Sequence, residues 1–342
     1  MEIIVPAAGL STRFPNMRPK YTLTAYDGDL MIEKSLGAYI GKCNITVGLL
    51  KQHEEKHSII EYLTKKHNNK IKFVVLDKPT SGPAETVYKI LEKANIENSK
   101  EIFVKDCDSF FDHEPQEGNY VCVSNMKDHE VLKRVGSKSF VTANDQGIVH
   151  SIIEKEIVSD KFCVGGYKFS SAKLYKDSYK ELKKLKANEI FVSHVIDNCL
   201  SKNEVFKIAN VTNYTDVGTA EDWFEYNDKS VIFCDIDGTL IKAQPRGTWH
   251  TKPDVLENNV KTIKEQIEKG SMVIFTTARP KSAEQDTIHM LETLGFTDIK
   301  IISDLPNTKR ILINDYNDAN PYPRARAINI RRDTDNLKDF LK

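Results

Sequence analysis

The sequence predicts an α/β protein of two domains. Three observations carry that expectation. The chain has 342 residues, more than one hydrophobic core usually holds. From residue 2 to 106, short apolar runs alternate with longer amphipathic segments. The alternation then restarts at residue 230, after the polar stretch EYNDKS (225–230). The expected domains are therefore 1–229 and 230–342.

The elements follow in order. EIIVPAA (2–8), NITVGLL (44–50), IKFVVL (71–76) and EIFVKD (101–106) read as strands. Residues 29–41, 54–67 and 83–94 read as helices between them. Such alternation implies a mostly parallel sheet with covered faces. Ligands bind beyond the carboxyl ends of such strands. NYVCVSNM, SFVTAND, GIVHSIIEK and FCVGGYKFS are shorter runs with turn signals, so the middle section is expected to be antiparallel. A lysine-rich helix is expected at 171–187, its charges on a solvated face. In the second domain VIFCDI, SMVIFTTA, IKIIS and RILIND read as strands, with helices at NVKTIKEQIEKG and near 282–294.

Composition narrows the function. Lys+Arg and Asp+Glu are 49 each, a formal net charge of +0. The chain as a whole therefore exerts no pull on nucleic acid or an anionic membrane. The six cysteines form no CxxC pair and mostly sit in apolar runs, as reduced thiols of a cytoplasmic protein do. No apolar run approaches a membrane span, and residues 1–10 lack a signal-peptide pattern. Oligomeric state stays open, a homo-oligomer included.

Four pieces of the first domain carry chemistry. AAGLSTRFPNMRPK (7–20) leaves the first strand. Its small residues let backbone N–H groups approach phosphate, and Arg13 and Lys20 add charge. An ordinary glycine turn with solvated cations fits the same residues. In KDCDSFF (105–111), Asp106 and Asp108 are two apart, so on an extended strand they point the same way and can reach a divalent metal. An acidic strand-end turn reads equally well. SIIEKEI (151–157) with VGGYKF (164–169) is the third piece. NYTDVGTAEDW (213–223), with Asp216, is the fourth.

Together, in this order, the four pieces resemble the sugar-phosphate nucleotidyltransferase (nucleoside-diphosphate-sugar pyrophosphorylase) family. The resemblance spans 1–229 and implies a Rossmann-like mixed sheet. It implies that Ala7, Ala8, Gly9, Leu10, Ser11 and Thr12 cradle the nucleotide. Arg13 and Lys20 would act on the triphosphate. Ser81, Gly82 and Pro83 in TSGPAETV (80–87), with Asp106, would help hold the nucleotide. Asp108 and Asp216 would be the Mg²⁺ pair. Glu154, Lys155, Gly165 and Gly166 would meet the sugar-phosphate. The loop reads AGLST rather than a doubled-glycine form, and the segment before Lys20 is short. Both features look closest to compact, often cytidylyl-transferring members, which makes CTP the favoured nucleotide. The implied reaction is in-line attack of a sugar- or alditol-phosphate oxygen on the α-phosphorus of an NTP, with pyrophosphate leaving. Positioning and charge neutralisation suffice for it.

The second domain opens on SVIFCDIDGTLI (230–241). One aspartate can attack phosphorus and the other can move the leaving group's proton. Asp-x-Asp-Gly is also a good turn sequence. CDIDGTL resembles the DxDGT signature of the haloacid dehalogenase superfamily of phosphohydrolases. The resemblance implies a small Rossmannoid domain with minimal cap. Asp235 would be the nucleophile and Asp237 the acid–base. Thr277, in preference to Thr276, would bind the phosphoryl group, and Lys309 would clamp it. Asp235, Asp237 and Asp315 would hold Mg²⁺. Asn314 stands where many members carry an acid, and Asp318 is the substitute. Arg246, Trp249 and His250 either line an open site or are ordinary loop residues.

The leading expectation is thus a bifunctional enzyme of activated-sugar supply for capsule or surface polysaccharide. Two alternatives stand beside it. One is a monofunctional nucleotidyltransferase with a non-catalytic second domain. The other is an assembly scaffold.

Overall fold

In the computed structural model, which describes residues 1–129, 134–185, 189–315 and 325–341, the first apolar run becomes β1 (Glu2–Pro6). There follow α1 (Met31–Leu36), β2 (Asn44–Leu50), α2 (Lys51–His57), α3 (Ile59–Lys66), β3 (Ile71–Leu76), α4 (Pro83–Lys93) and β4 (Ile102–Lys105). The helix expected over 54–67 is split. Ser58 takes a left-handed conformation at φ 47°, and the Glu54 carboxylate accepts from Ile60 N at 2.9 Å across the break. Next come β5 (Ser109–Asp112), β6 (Asn119–Asn125), β7 (Ser139–Ala143), β8 (Val149–Glu154) and β9 (Lys161–Phe169). The first unit closes with α5 (Ala172–Lys184), α6 (Val192–Leu200), β10 (Phe206–Asn210), β11 (Thr212–Asp216) and α7 (Ala220–Tyr226).

The main sheet runs β10-β6-β9-β4-β1-β2-β3, and β7 and β8 branch from β9. β1 pairs in parallel with β2 and β4, whereas β9 runs antiparallel to β4 and β6. The sheet is therefore mixed, as the change of texture after residue 118 predicts. Alternate residues face opposite layers. Ile4 and Val104 join a core with α4, α5 and α6. Ile3, Val5 and Phe103 join another with α1 and α3. Each such side chain contributes about 1.5–3 kcal/mol when fully buried. Because β1 and β4 are neighbours, the loop after one and the acids after the other leave the sheet side by side.

His113 makes this core sensitive to pH. Its ring stacks on Phe103 at 5.1 Å and 12°, and its nitrogens meet Tyr39 Oη at 3.1 Å and Tyr120 Oη at 3.0 Å. Burial, with help from Lys105, lowers its pKa to about 4. The folded state thus favours the neutral ring. Its contribution is full above the unfolded value, near 6.5, and is lost as pH falls toward about 4. Thermal melts at pH 7, 6, 5 and 4 should show a falling midpoint for the first unit. His113→Phe should flatten that slope; an unchanged slope refutes the assignment.

The chain divides by contact into Met1–Glu225 and Tyr226–Lys342. The second unit contains β12 (Val231–Asp235), α8 (Glu257–Glu268), β13 (Met272–Thr276), α9 (Glu284–Thr293) and β14 (Lys300–Ile302). Its three strands are parallel in the order β12-β13-β14. Cys234, Val273 and Phe275 face α8 and α9. On the other face Val231 and Phe233 are 55% and 47% exposed.

RILIND does not form the fourth strand expected of it. Among the described residues, 310–315 have no strand partner, and Ile311 and Ile313 are 74% and 91% exposed. A short apolar run is a strand only when a neighbouring strand satisfies its backbone, and pattern alone does not reveal that neighbour.

Candidate active sites

In the first unit a cleft of about 490 Å³ opens at the ends of β1 and β4. It gathers much of what the sequence singled out. Ala7, Ala8, Gly9, Leu10, Ser11, Arg13 and Lys20 line it from the first loop, and Ser81, Gly82 and Pro83 from the α4 approach. Asp106, Asp108, Glu154, Gly165 and Asp216 line it too. Thr12 is exposed and, like Lys155 and Gly166, is not among the lining residues.

Local structure explains each placement. Ser11 is left-handed at φ 54°, and its Oγ accepts from Lys20 N at 3.0 Å. This hydrogen bond closes the loop on itself. Asp106 and Asp108 lie on the turn between β4 and β5, not on an extended strand. The turn is tied down by Lys105, which is fully buried. Its Nζ donates to Ser35 Oγ at 2.9 Å, Asp106 O at 2.9 Å and Ser109 O at 2.6 Å. Burial lowers the Lys105 pKa to about 8.

The acids converge where a side chain is missing. A Cβ on Gly218 would stand 2.9 Å from Asp216 Oδ1 and 3.2 Å from Asp108 Oδ2. Gly165 sits at φ 83°, and a Cβ there would meet Asp106 Oδ2 at 2.6 Å. Gly166 serves the interior, since its Cβ would strike Phe111 and Cys122.

Cations hold the acids. Lys20 Nζ lies 2.5 Å from Asp108 Oδ2, and Arg13 Nη2 lies 3.8 Å from the same oxygen. Burial alone would raise the Asp108 pKa, but Lys20 and Arg13 hold it below the usual carboxylate range. Burial, then the charge of Asp108, pushes Asp106 upward. Burial also opposes Asp216, and Lys138 outweighs it, so Asp216 is held low. Lys138 and Arg134 line the cleft and had no motif to announce them. Lys138 Nζ lies 2.7 Å from Asp216 Oδ2.

The Glu-Lys pair divides. Glu154 accepts from Ser139 and from Ser193 Oγ at 2.6 Å. Lys155 is left-handed at φ 60°, and its ammonium lies over the Phe191 ring at 4.4 Å.

In the second unit Asp235 ends β12 opposite Thr276 on β13. Thr239 Oγ1 donates to Asp235 Oδ2 at 3.2 Å. Burial raises the Asp235 pKa, Asp237 adds to the rise, and Arg310 acts against it. The expected Lys309 lies exposed, and its neighbour Arg310 donates to Pro306 O at 2.8 Å and Thr308 O at 2.7 Å. Thr277 does reach the acids, with Oγ1 3.3 Å from Asp237 Oδ2.

Arg279 is the residue the sequence reading left unassigned. It is 2% exposed. Its Nε donates to Asp237 Oδ2 at 2.9 Å and its Nη2 to Asp237 Oδ1 at 2.7 Å. Gln244 Oε1 accepts from Nη2 at 3.0 Å, and Thr287 Oγ1 from Nη1 at 3.3 Å. A strand-end arginine two residues past Thr277 was the available signal. Asp315 lies on the exposed 310–315 segment, and Asp318 lies outside the described residues. Arg246 and His250 are exposed and Trp249 half-buried.

Among the described residues no group of three or more His, Cys, Asp or Glu is arranged to hold a metal. For the first cleft, two convergent carboxylates suit Mg²⁺, which shares its oxygen shell with substrate phosphates. For the second unit the expected Asp235, Asp237 and Asp315 do not form such a group among the described residues, and both oxygens of Asp237 accept from Arg279. No described helix is long and apolar enough to cross a membrane.

Comparisons with known proteins agree with the two-part architecture. A family model for haloacid dehalogenase-like hydrolase matches residues 232–303. Solved structures match the first unit. A nucleoside-diphosphate-sugar pyrophosphorylase from Vibrio cholerae RC9 is 20% identical with a TM-score of 0.57, over 66% of this chain and 100% of that one. The inositol-1-phosphate CTP transferase of T. maritima is 18% identical with a TM-score of 0.52, over 65% and 90%. A UDP-glucose pyrophosphorylase complexed with UDP-glucose is 16% identical with a TM-score of 0.50, over 66% and 97%. A search of curated proteins finds no match. The first unit therefore has the nucleotide-sugar pyrophosphorylase fold, and the second carries a region similar to haloacid dehalogenase-like hydrolases.

Proposed function

We propose that this chain, a pyrophosphorylase fold joined to a haloacid dehalogenase-like region, is a bifunctional enzyme of activated-sugar supply. The first unit transfers a nucleotidyl group from an NTP to a sugar- or alditol-phosphate. The second hydrolyses a phosphate monoester. The carrying observation is the convergence of Asp108 and Asp216 beside Gly218, with two cations on each acid.

In the transfer, an oxygen of the acceptor phosphate bonds to the α-phosphorus. The bond to the bridging oxygen breaks, and pyrophosphate leaves with that electron pair. Arg13 and Lys20 neutralise the triphosphate, and the open backbone at Gly9 lets it approach. Glu154, held by two serine hydroxyls, orients the acceptor's sugar hydroxyls. Asp108 and Asp216 would hold Mg²⁺, which would supply charge neutralisation for the transfer. CTP is the proposed nucleotide. The similar structures include a CTP transferase and a UDP-glucose enzyme, so the fold is compatible with either base. A place in capsule or surface-polysaccharide synthesis, in the cytoplasm, is proposed with it.

In the hydrolysis, Asp235 would attack phosphorus to form an aspartyl-phosphate. Asp237 would donate a proton to the leaving oxygen and then activate water. A second reading is favoured by Arg279. Both oxygens of Asp237 accept from it, which suits a binding module better than proton transfer.

Pyrophosphate release from each of four NTPs, with Mg²⁺ and a panel of sugar and alditol phosphates, tests the first unit. Release with CTP is expected, and no release from any pairing overturns the transferase. Phosphate release from the same panel by wild type and Asp235→Asn tests the second unit. Equal rates leave the binding-module reading.

A further inference from the structure

Asp108 and Asp216 each carry two cations, and the transfer chemistry above gives a task to only one pair. Arg13 and Lys20 belong to the triphosphate loop. Arg134 and Lys138 come from the segment ahead of β7. Lys138 is buried. Its ammonium lies 5.3 Å from the centres of both the Phe162 and Tyr214 rings. It donates to Asp216 Oδ2 at 2.7 Å and Tyr214 Oη at 2.7 Å. Among the described residues this leaves one of its three N–H groups without an acceptor. Arg134 Nη2 reaches Asp222 at 2.5 Å and Asp216 at 3.1 Å. Among the described residues its buried Nε has no hydrogen-bond partner. Buried donors without acceptors are unfavourable and call for an explanation such as an unseen anion.

We infer that Arg134 and Lys138 form the subsite for the acceptor's phosphate, and that they occupy Asp216 until metal and acceptor enter together. The inference rests on the nucleotidyltransferase reading of the first unit. That reaction brings two anionic groups into the cleft, and the cations on Asp108 account for one. Lys155 is the other candidate, but it is not among the lining residues and its ammonium lies over Phe191. Charge then links the two ligands. A divalent cation at Asp216 repels Lys138 and Arg134, and a phosphate between them relieves the repulsion. Each ligand should therefore tighten the other by the same factor.

Mn²⁺ binding, followed by electron paramagnetic resonance, tests this without turnover. The full chain carries Asp235→Asn so that the second unit's nucleophile position contributes less, and inorganic phosphate stands in for the acceptor. Phosphate should tighten Mn²⁺ binding by roughly fivefold or more in this parent. Lys138→Met, which still fills the space between the two rings, should bind Mn²⁺ more tightly without phosphate and show no phosphate effect. Lys138→Arg and Lys20→Met should keep the effect. A phosphate effect that survives in Lys138→Met, or vanishes in Lys20→Met instead, overturns the subsite, as does no effect in the parent. Linkage without pyrophosphate release would remove the transferase reading, and with it the identity of the phosphate as an acceptor's, and would leave a phosphate site at Arg134 and Lys138. Pyrophosphate release without linkage would remove this inference alone.

Discussion

Asp108→Asn should reduce pyrophosphate release on the order of 10³-fold, the scale of losing one preorganised electrostatic contact, while the first unit stays folded. The substitution keeps the side chain's size and one carbonyl oxygen. Lys20 Nζ, now 2.5 Å from Asp108 Oδ2, would retain an acceptor. The loss of a charge-assisted hydrogen bond then costs about 1.5–3 kcal/mol. What disappears is the negative charge opposite Asp216, and with it half of the proposed Mg²⁺ site. Pyrophosphate release and a thermal melt on the same sample separate the outcomes. A folded variant with wild-type turnover would remove Asp108 from the chemistry. A variant that fails to fold would show that the carboxylate mainly neutralises Lys20. A tenfold increase in Mg²⁺ should not restore the rate.

The second large effect is on stability. Asp237→Ala should destabilise the second unit by about 3–5 kcal/mol, because removing one partner of a buried ion pair strands the other. Arg279 is 2% exposed and, among the described residues, would keep Gln244 and Thr287 as side-chain acceptors. That loss is a large part of the roughly 5–15 kcal/mol that holds a domain together. Asp235→Ala should cost far less stability, since among the described residues its side chain is hydrogen-bonded by the Thr239 hydroxyl. Calorimetry of the full chain compares the two variants. Equal, small shifts would mean that Arg279 relaxes to solvent. The contrast matters because two acids one residue apart would then serve different ends, one open toward substrate and one fastened to the core.

The acids at 106, 108, 235 and 237 were legible because each follows an apolar strand run, and a carboxylate at a strand mouth is unusual enough to notice; Asp216 ends the polar run TNYTD and was placed by the family resemblance instead. The phosphate-type loop at 7–13 was legible from its small residues. Lys138, Arg134 and Arg279 were not. Lys138 lies 78 residues from Asp216 in sequence and Arg279 lies 42 from Asp237. No local pattern distinguishes a lysine that will cross that distance from one that will face water. The RILIND run was misread for the converse reason. Its composition satisfies a strand, but the backbone partner that makes a strand is non-local.

By itself, then, the sequence determined which residue types stand at which strand ends, and hence the α/β class, the mixed first sheet and the two candidate chemistries. Apolar periodicity and short-range backbone preferences are local quantities that one chain displays without folding. Only the tertiary structure decided which cation meets which acid. It set Lys20 and Arg13 on Asp108, Lys138 and Arg134 on Asp216, and Arg279 on Asp237. Where the cation is buried, as Lys138 and Arg279 are, burial chooses the pairing, because a charge removed from water must take the nearest opposite charge that the fold delivers.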